Sequence, residues 1–144
     1  MKKGLKTPLR YPGGKSRACG KMAQYFPNLK EHTEYREPFL GGGSVAIYVS
    51  QMYPHLKITV NDLYEPLMNF WSNLQMFGGE LYTELKNLKI TNCNQDSARC
   101  LFAEMKDVVN DKTKTDLERA VAFYVVNKCS FSGLTESSSF SAQA

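Results

Sequence analysis

Arg36-Glu37-Pro38-Phe39-Leu40-Gly41-Gly42-Gly43-Ser44-Val45-Ala46 is the stretch around which the rest of the chain is read. It leaves a short aromatic segment, passes through three glycines and enters a helical pattern. Taken as Gly41-x-Gly43-x-x-Ala46, it meets the G-x-G-x-x-G/A spacing of a nucleotide-binding turn. Glycine accepts left-handed backbone angles and lets the main chain approach a ligand with no Cβ between them. A helix starting near Ser44 would aim free N–H groups and a partial positive charge at the same ligand. Twenty residues after Gly42, behind the apolar run 56–60, stands Asp62. That is where a fold of this kind hydrogen-bonds a ribose hydroxyl. A glycine triplet by itself is more readily an ordinary turn; the triplet with Asp62 at that distance points to a ligand carrying a nucleoside.

Upstream of the turn, the pattern predicts a strand over 33–37 and, before it, a helix over 15–25 closed by Phe26-Pro27-Asn28. Downstream it predicts a helix over 44–52 ended by Pro54, a second strand over 56–61, and a third helix entered at Asp62. Leu63, Leu67, Phe70 and Leu74 recur at helical spacing in that third helix, Pro66 falls in its permissive first turn, and Gly78-Gly79 reads as its stop. Met68, Trp71 and Met76 read as packing residues. The order β-turn-α-β-α is half of a parallel, doubly wound sheet. Past Gly79 the strand signals cease. Helices are expected over 80–88 and 96–109, and Thr115-Asp116-Leu117-Glu118 is a capping box that opens another. That last helix delivers Asn127-Lys128-Cys129-Ser130-Phe131-Ser132-Gly133-Leu134 into a loop, and the remainder from Glu136 is polar, small and without a closing element. Residues 1–79 thus read as an α/β part and 80–144 as a helical one.

At 144 residues the chain is one domain or part of one, and 42% hydrophobic against 22% charged residues exclude a disordered segment. The sequence has no apolar run of membrane-spanning length and no signal-peptide core, which predicts a cytoplasmic protein. Cys19, Cys93, Cys100 and Cys129 form no C-x-x-C pair, and His32 and His55 are the only histidines. A zinc site and Ser-His or Cys-His chemistry therefore have little to stand on, and reduced thiols are expected.

The net charge of +4 hides an asymmetry. Lys2, Lys3, Lys6, Arg10, Lys15, Arg17, Lys21 and Lys30 lie in the first thirty residues with no acid among them, whereas the rest of the chain is net acidic. A basic block at one end is the footprint of a polyanion partner. A solvated tail is the plainer alternative, but Leu9-Arg10-Tyr11-Pro12-Gly13-Gly14-Lys15-Ser16 carries an aromatic, a proline turn and two glycines, which make a shaped loop. It is not a P-loop, because the first glycine of G-x-x-x-x-G-K-[ST] would fall on Leu9.

Three blocks, in order and at matching spacing, resemble the N-terminal part of a Dam-type N6-adenine DNA methyltransferase. Leu9–Lys15 resembles that family's loop over S-adenosylmethionine. Glu37-Pro38-Phe39-Leu40-Gly41-Gly42-Gly43-Ser44-Val45, with Asn61-Asp62-Leu63, resembles its glycine turn and ribose-binding acid. Asn127-Lys128 with Phe131-Ser132-Gly133-Leu134 resembles its N-R-x-x-[FY]-N-G-L loop. The likeness runs over about residues 5–136. It implies the N-terminal half of a Rossmann-like, S-adenosylmethionine-dependent methyltransferase sheet, followed by a helical target-recognition region that meets double-stranded DNA. It also implies roles. Tyr11, Pro12 and Lys15 would line the cofactor, Pro38, Phe39, Gly41 and Gly43 would form the turn beneath it, and Asp62 would hold the ribose. Arg10, Asn127, Lys128, Phe131, Ser132 and Leu134 would face DNA, with the Phe131 ring filling the stack beside a flipped adenine. Phe131 as a plain core residue stays open.

The chain departs from the family at Lys128 and Ser132, where the pattern has arginine and asparagine, and at Glu136, where some members carry a base-reading arginine. The recognised DNA sequence is therefore not inherited from a relative. The larger departure is that the six prolines are nowhere adjacent, so the Asp/Asn-Pro-Pro-Tyr/Phe motif that grips the adenine amine does not occur. The expectation is a truncated methyltransferase, inactive alone and completed by a missing C-terminal part. Two alternatives stay open: a stand-alone DNA- or S-adenosylmethionine-binding module, and an NAD-dependent dehydrogenase fragment, which leaves the Tyr11–Lys15 loop without a purpose.

Overall fold

In a computed structural model of the chain, Glu34–Glu37 (β1) and Lys57–Val60 (β2) pair in parallel, with Glu34 opposite Lys57, Tyr35 opposite Ile58, Arg36 opposite Thr59 and Glu37 opposite Val60. The structure describes residues 4–133, 135 and 138–142. Packing divides the chain into two units, Met1–Leu63 and Tyr64–Ala144. The sequence reading grouped residues 64–79 with the cofactor part; by packing they go with the helices that follow.

In the first unit, α1 (Cys19–Met22) and a 3-10 turn over Ala23–Tyr25 stand where the sequence predicts a helix over 15–25. The helix is short because nothing caps it and Gly20 lies inside it. α2 (Ser44–Met52) crosses from β1 to β2 and stops at Tyr53, just ahead of Pro54. Tyr35 and Ile58, on the inward parity of the two strands, pack with Cys19, Leu29, Val45, Val49 and Leu56. Val49 is wholly buried; a side chain of its size contributes about 1.5–3 kcal/mol on burial.

The second unit is helical among its described residues: α3 (Glu65–Met76), α4 (Gly78–Thr91), α5 (Gln95–Val109) and α6 (Asp116–Cys129). α6 is its centre, with Ala120, Ala122, Phe123 and Val126 buried. Phe70 of α3 stacks on Tyr124 at 5.7 Å and lies 5.6 Å from Phe123. Several expectations are corrected. α3 begins at Glu65, so Leu63 precedes it and is 96% exposed instead of packed, and Met76 points to solvent. Gly78-Gly79 does not stop a helix. Phe77, with φ of −131°, breaks the chain, and the two glycines open α4. The segment after Glu136 does find a closing element, since Phe140 bridges Ser130 in antiparallel fashion.

The capping box at Thr115 holds, its Oγ1 accepting from the Glu118 N–H at 3.2 Å while Glu118 Oε2 accepts from the Thr115 N–H at 2.8 Å. Asn94 and Ser97 cap α5 the same way. Thr115→Ala is expected to cost about 1 kcal/mol. Urea unfolding followed by Trp71, the single tryptophan and a reporter of this unit, measures it. An unchanged midpoint would mean that the cap is idle.

Candidate functional site

The glycine turn is built by strand ends and backbone angles. Leu40 N–H donates to Asn61 O at 2.9 Å, which carries the β1–β2 pairing past the last strand residues, and Gly43 N–H closes back on Leu40 O at 3.0 Å. Gly41 and Gly43 take φ of +51° and +70°, left-handed angles that only glycine holds without strain. Gly43 is the residue from which α2 starts. Asp62, just past β2, reaches across so that its Oδ2 accepts the Gly41 N–H at 2.8 Å. The carboxylate is therefore a buckle on the turn, a role the sequence reading did not assign to it.

Tyr11 lies on the turn. A Cβ added to Gly42 would stand 2.7 Å from the Tyr11 Cβ, and one added to Gly41 would stand 3.0 Å from the Tyr11 Cε1. Burial, and after it the Asp62 charge, push the Tyr11 phenol up from its ordinary value. The loop that carries it is a tight turn, with Gly14 N–H donating to Tyr11 O at 2.9 Å and Lys15 Nζ to Gly13 O at 3.0 Å.

Between this loop and the turn is a cavity of about 360 Å³. Of the residues predicted to hold a cofactor, Tyr11, Pro12, Lys15, Phe39 and Gly41 line it, and Phe39 is 85% exposed. Pro38, Gly43 and Asp62 are not in the lining; Gly43 and Asp62 shape it through the turn.

Among the lining residues not predicted to hold a cofactor are Tyr35 and Glu37. The Tyr35 hydroxyl donates to Glu37 Oε2 at 3.2 Å. Burial raises the Glu37 carboxyl, against the lowering effect of hydrogen bonds from Tyr35 and the Ala46 N–H. Burial and the neighbouring Glu37 charge push the Tyr35 phenol up to about 12. Strand parity held the signal, since Tyr35 and Glu37 share the inward face of β1. An acid and a lysine lining one cavity beside an aromatic and a helix N-terminus suit a ligand with charges of both signs and a flat ring.

In the second unit, Phe131 is 67% exposed at the start of a 3-10 turn over Phe131–Gly133, so the core alternative for this residue is dismissed. Phe131 N–H donates to Ser139 O at 3.0 Å and Ser141 N–H to Cys129 O at 2.9 Å, closing the loop at its base. Phe140 seats that closure on α5, edge-on to Phe102 at 5.8 Å and 5.4 Å beneath the Arg99 guanidinium. Lys106 Nζ donates to Ser138 O at 3.0 Å.

Asn127, expected at DNA, is 1% exposed and donates through Nδ2 to Gly133 O at 2.9 Å. A buried amide bound to its own loop frames that loop. Lys128 is half-buried with Nζ 5.4 Å over the Tyr124 ring. Arg10, in the first unit, is half-buried. Leu134, Glu136 and the Ser132 side chain lie outside the described residues.

Cys19, Cys93, Cys100 and Cys129 form no disulfide among the described residues. Among the described residues no group of three or more His, Cys, Asp and Glu is placed to hold a metal ion, and no helix is long and apolar enough to cross a membrane.

Residues 11–144 match the family model of the D12 class N6 adenine-specific DNA methyltransferases. A type II methyltransferase, M.MjaIII, of Methanocaldococcus jannaschii is 29% identical over 138 residues, which cover 90% of this chain and 47% of that protein. The DNA N-6-adenine-methyltransferase of Escherichia phage P1 is 31% identical over 126 residues, 88% of this chain and 15% of the phage protein. The chain thus spans about half the length of the first relative and a smaller share of the second. A match that runs from the Tyr11 loop through the glycine turn to the Phe131 loop carries one conclusion: the chain belongs to the D12 class of N6 adenine-specific DNA methyltransferases.

Proposed function

We propose that this chain is the cofactor-binding part, and a portion of the target-recognition part, of a site-specific DNA adenine-N6 methyltransferase. Its methyl donor is S-adenosylmethionine and its substrate double-stranded DNA. The parallel β1–α2–β2 unit is the start of a Rossmann-like sheet. The observation that carries the reading is the glycine cradle: Gly41, left-handed and buckled by Asp62, and Gly42 beside it lie so close to Tyr11 that a Cβ on either would press on it, and both line a cavity large enough for an adenosine.

The donor, when bound, supplies an electrophilic methyl group. The chain's own residues hold and orient it. Asp62 takes the ribose hydroxyls while keeping the turn closed, and Phe39 and Tyr11 offer flat apolar surface. Lys15 suits the carboxylate of the amino-acid portion and Glu37 its ammonium. In the second unit Phe131 supplies a ring for the space an extruded adenine leaves, and Lys128 a charge for phosphate. No Asp/Asn-Pro-Pro-Tyr/Phe occurs in these 144 residues, so the group that grips the adenine amine is supplied elsewhere, and the chain alone binds without turnover.

Calorimetry with S-adenosylmethionine and with NAD tests this reading, followed by a tritium-transfer assay on duplex DNA. The expected result is binding of S-adenosylmethionine in preference to NAD, and no methyl transfer by the 144-residue chain. Preference for NAD would overturn the assignment, and turnover by the isolated chain would overturn its incompleteness.

A further inference from the structure

Gln51, near the end of α2, does for the N-terminal segment what a neighbouring strand does elsewhere. Leu5 N–H donates to Gln51 Oε1 at 2.7 Å, and Gln51 Nε2 donates to Leu5 O at 3.0 Å. One side-chain amide thus pairs both backbone groups of a single residue. A third bond, from Nε2 to Ile47 O at 3.1 Å, orients that amide on its own helix. Nothing apolar does this job, because the Leu5 side chain is 77% exposed. Residue 4 fits as glycine: a Cβ there would stand 3.1 Å from Gln51 Oε1. The next anchor is Leu9, which is buried and whose N–H donates to Thr7 Oγ1 at 3.2 Å. Between the two anchors the segment borders a groove of about 290 Å³ along α2, and Lys6 is the charged residue held there.

We infer that Gln51 is a positioning residue for DNA binding, which pins the main chain at Leu5 so that Lys6 meets a backbone phosphate already ordered. This rests on the DNA-binding reading above. A lysine on an unpinned tail loses backbone and side-chain freedom at each encounter, and that loss is subtracted from what the phosphate contact contributes. Pinning removes most of it in advance. Gln51 itself touches no phosphate in this scheme; its effect passes through Lys6.

The test is a salt titration of duplex-DNA binding by the 144-residue chain and by Gln51→Ala, Lys6→Ala and the double variant, with amide exchange at Leu5 and thermal melts recorded in parallel. Gln51→Ala is expected to weaken binding by about threefold to tenfold, the scale of one ordered side chain. It should flatten the salt dependence by about one phosphate contact. Leu5 amide protection should be lost while the melt is unchanged, since Gln51 is exposed. In the Lys6→Ala background the same change should have no further effect, which is the signature of action through that lysine. Additive losses, or wild-type affinity in Gln51→Ala, or a Leu5 amide still protected in that variant, would overturn the inference and leave the functional reading intact. Failure of the wild-type chain to bind duplex DNA at all would overturn both.

Discussion

Asp62→Ala is expected to weaken S-adenosylmethionine binding on the order of 100-fold, near 2.7 kcal/mol, because two hydrogen bonds to one carboxylate are lost together. One is the proposed grip on the ribose. The other is the bond from the Gly41 N–H, at 2.8 Å, which holds the turn at its left-handed angles. Without that acceptor a half-buried amide loses its partner and the wall of the cavity loosens. Asp62→Asn keeps an acceptor oxygen but gives up the charge, so it should fall between, at about tenfold. Calorimetry on both variants, with amide exchange at Gly41, separates the two roles. If Asp62→Ala bound the cofactor within threefold of wild type, neither role would stand.

Glu65→Ala is expected to destabilise the second unit by about 2 kcal/mol, and more than Arg119→Met does. The asymmetry follows from which partner is buried. The Arg119 side chain is 4% exposed, whereas Glu65 is about half exposed. Arg119 is met by Glu65 Oε2, by Asp116 Oδ1 at 3.5 Å and by the Val109 carbonyl at 3.2 Å, with Lys112 also on Glu65 at 3.0 Å. Removing Glu65 leaves a buried cation with its weaker acid, and uncompensated buried charges cost about 3–5 kcal/mol; the distant Asp116 reduces that here. Removing the cation leaves two carboxylates in water and one carbonyl without its donor, about 1 kcal/mol.

The hydrogen bond from Arg119, first among the causes, holds the Glu65 carboxyl below its ordinary value. A carboxyl with a lower value folded than unfolded contributes its full share above about pH 4.3 and loses it as pH falls through the lowered folded value. Glu65→Gln should therefore flatten the acid limb of stability. Urea midpoints from Trp71 fluorescence between pH 7 and pH 3 check both points, and equal costs for Glu65→Ala and Arg119→Met would refute the ordering.

The parts of this fold that could be read from the residues are those where local chemistry and tertiary demand agree. Ser44–Met52 was legible as a helix because three glycines precede it and a proline follows closely. Thr115 announced α6 through a capping box. Gly41 and Gly43 were legible because a turn against a ligand has few other solutions.

What escaped depends on partners distant in sequence. Glu37 shares an inward face with Tyr35 that strand parity shows, but its other partner, the Ala46 N–H, arrives only when α2 folds back past the glycine turn. Asn127 sits in a family loop motif, and nothing local tells that its amide turns inward to Gly133. Phe140, in a run of serines, gives no periodic signal; it matters because Phe102, thirty-eight positions earlier, is waiting for it. Gly78-Gly79 misled because glycine more often follows a helix than opens one, whereas here the break falls one residue earlier, at Phe77.

The way the Phe131 loop is shut has a consequence for how such a protein diversifies. Its base is drawn together by main-chain amides at 131 and 141, and seated by the ring at 140. Within the loop, Gly133 holds a φ of +73° and accepts from the Asn127 amide, Thr135 Oγ1 meets the Tyr64 hydroxyl at 2.9 Å, and Ser138 Oγ donates to Thr135 O at 2.8 Å. Variation that leaves the helices folded is therefore confined to exposed positions such as 131 and 139, whereas exchange at 133, 135 or 138 would cost the loop its shape.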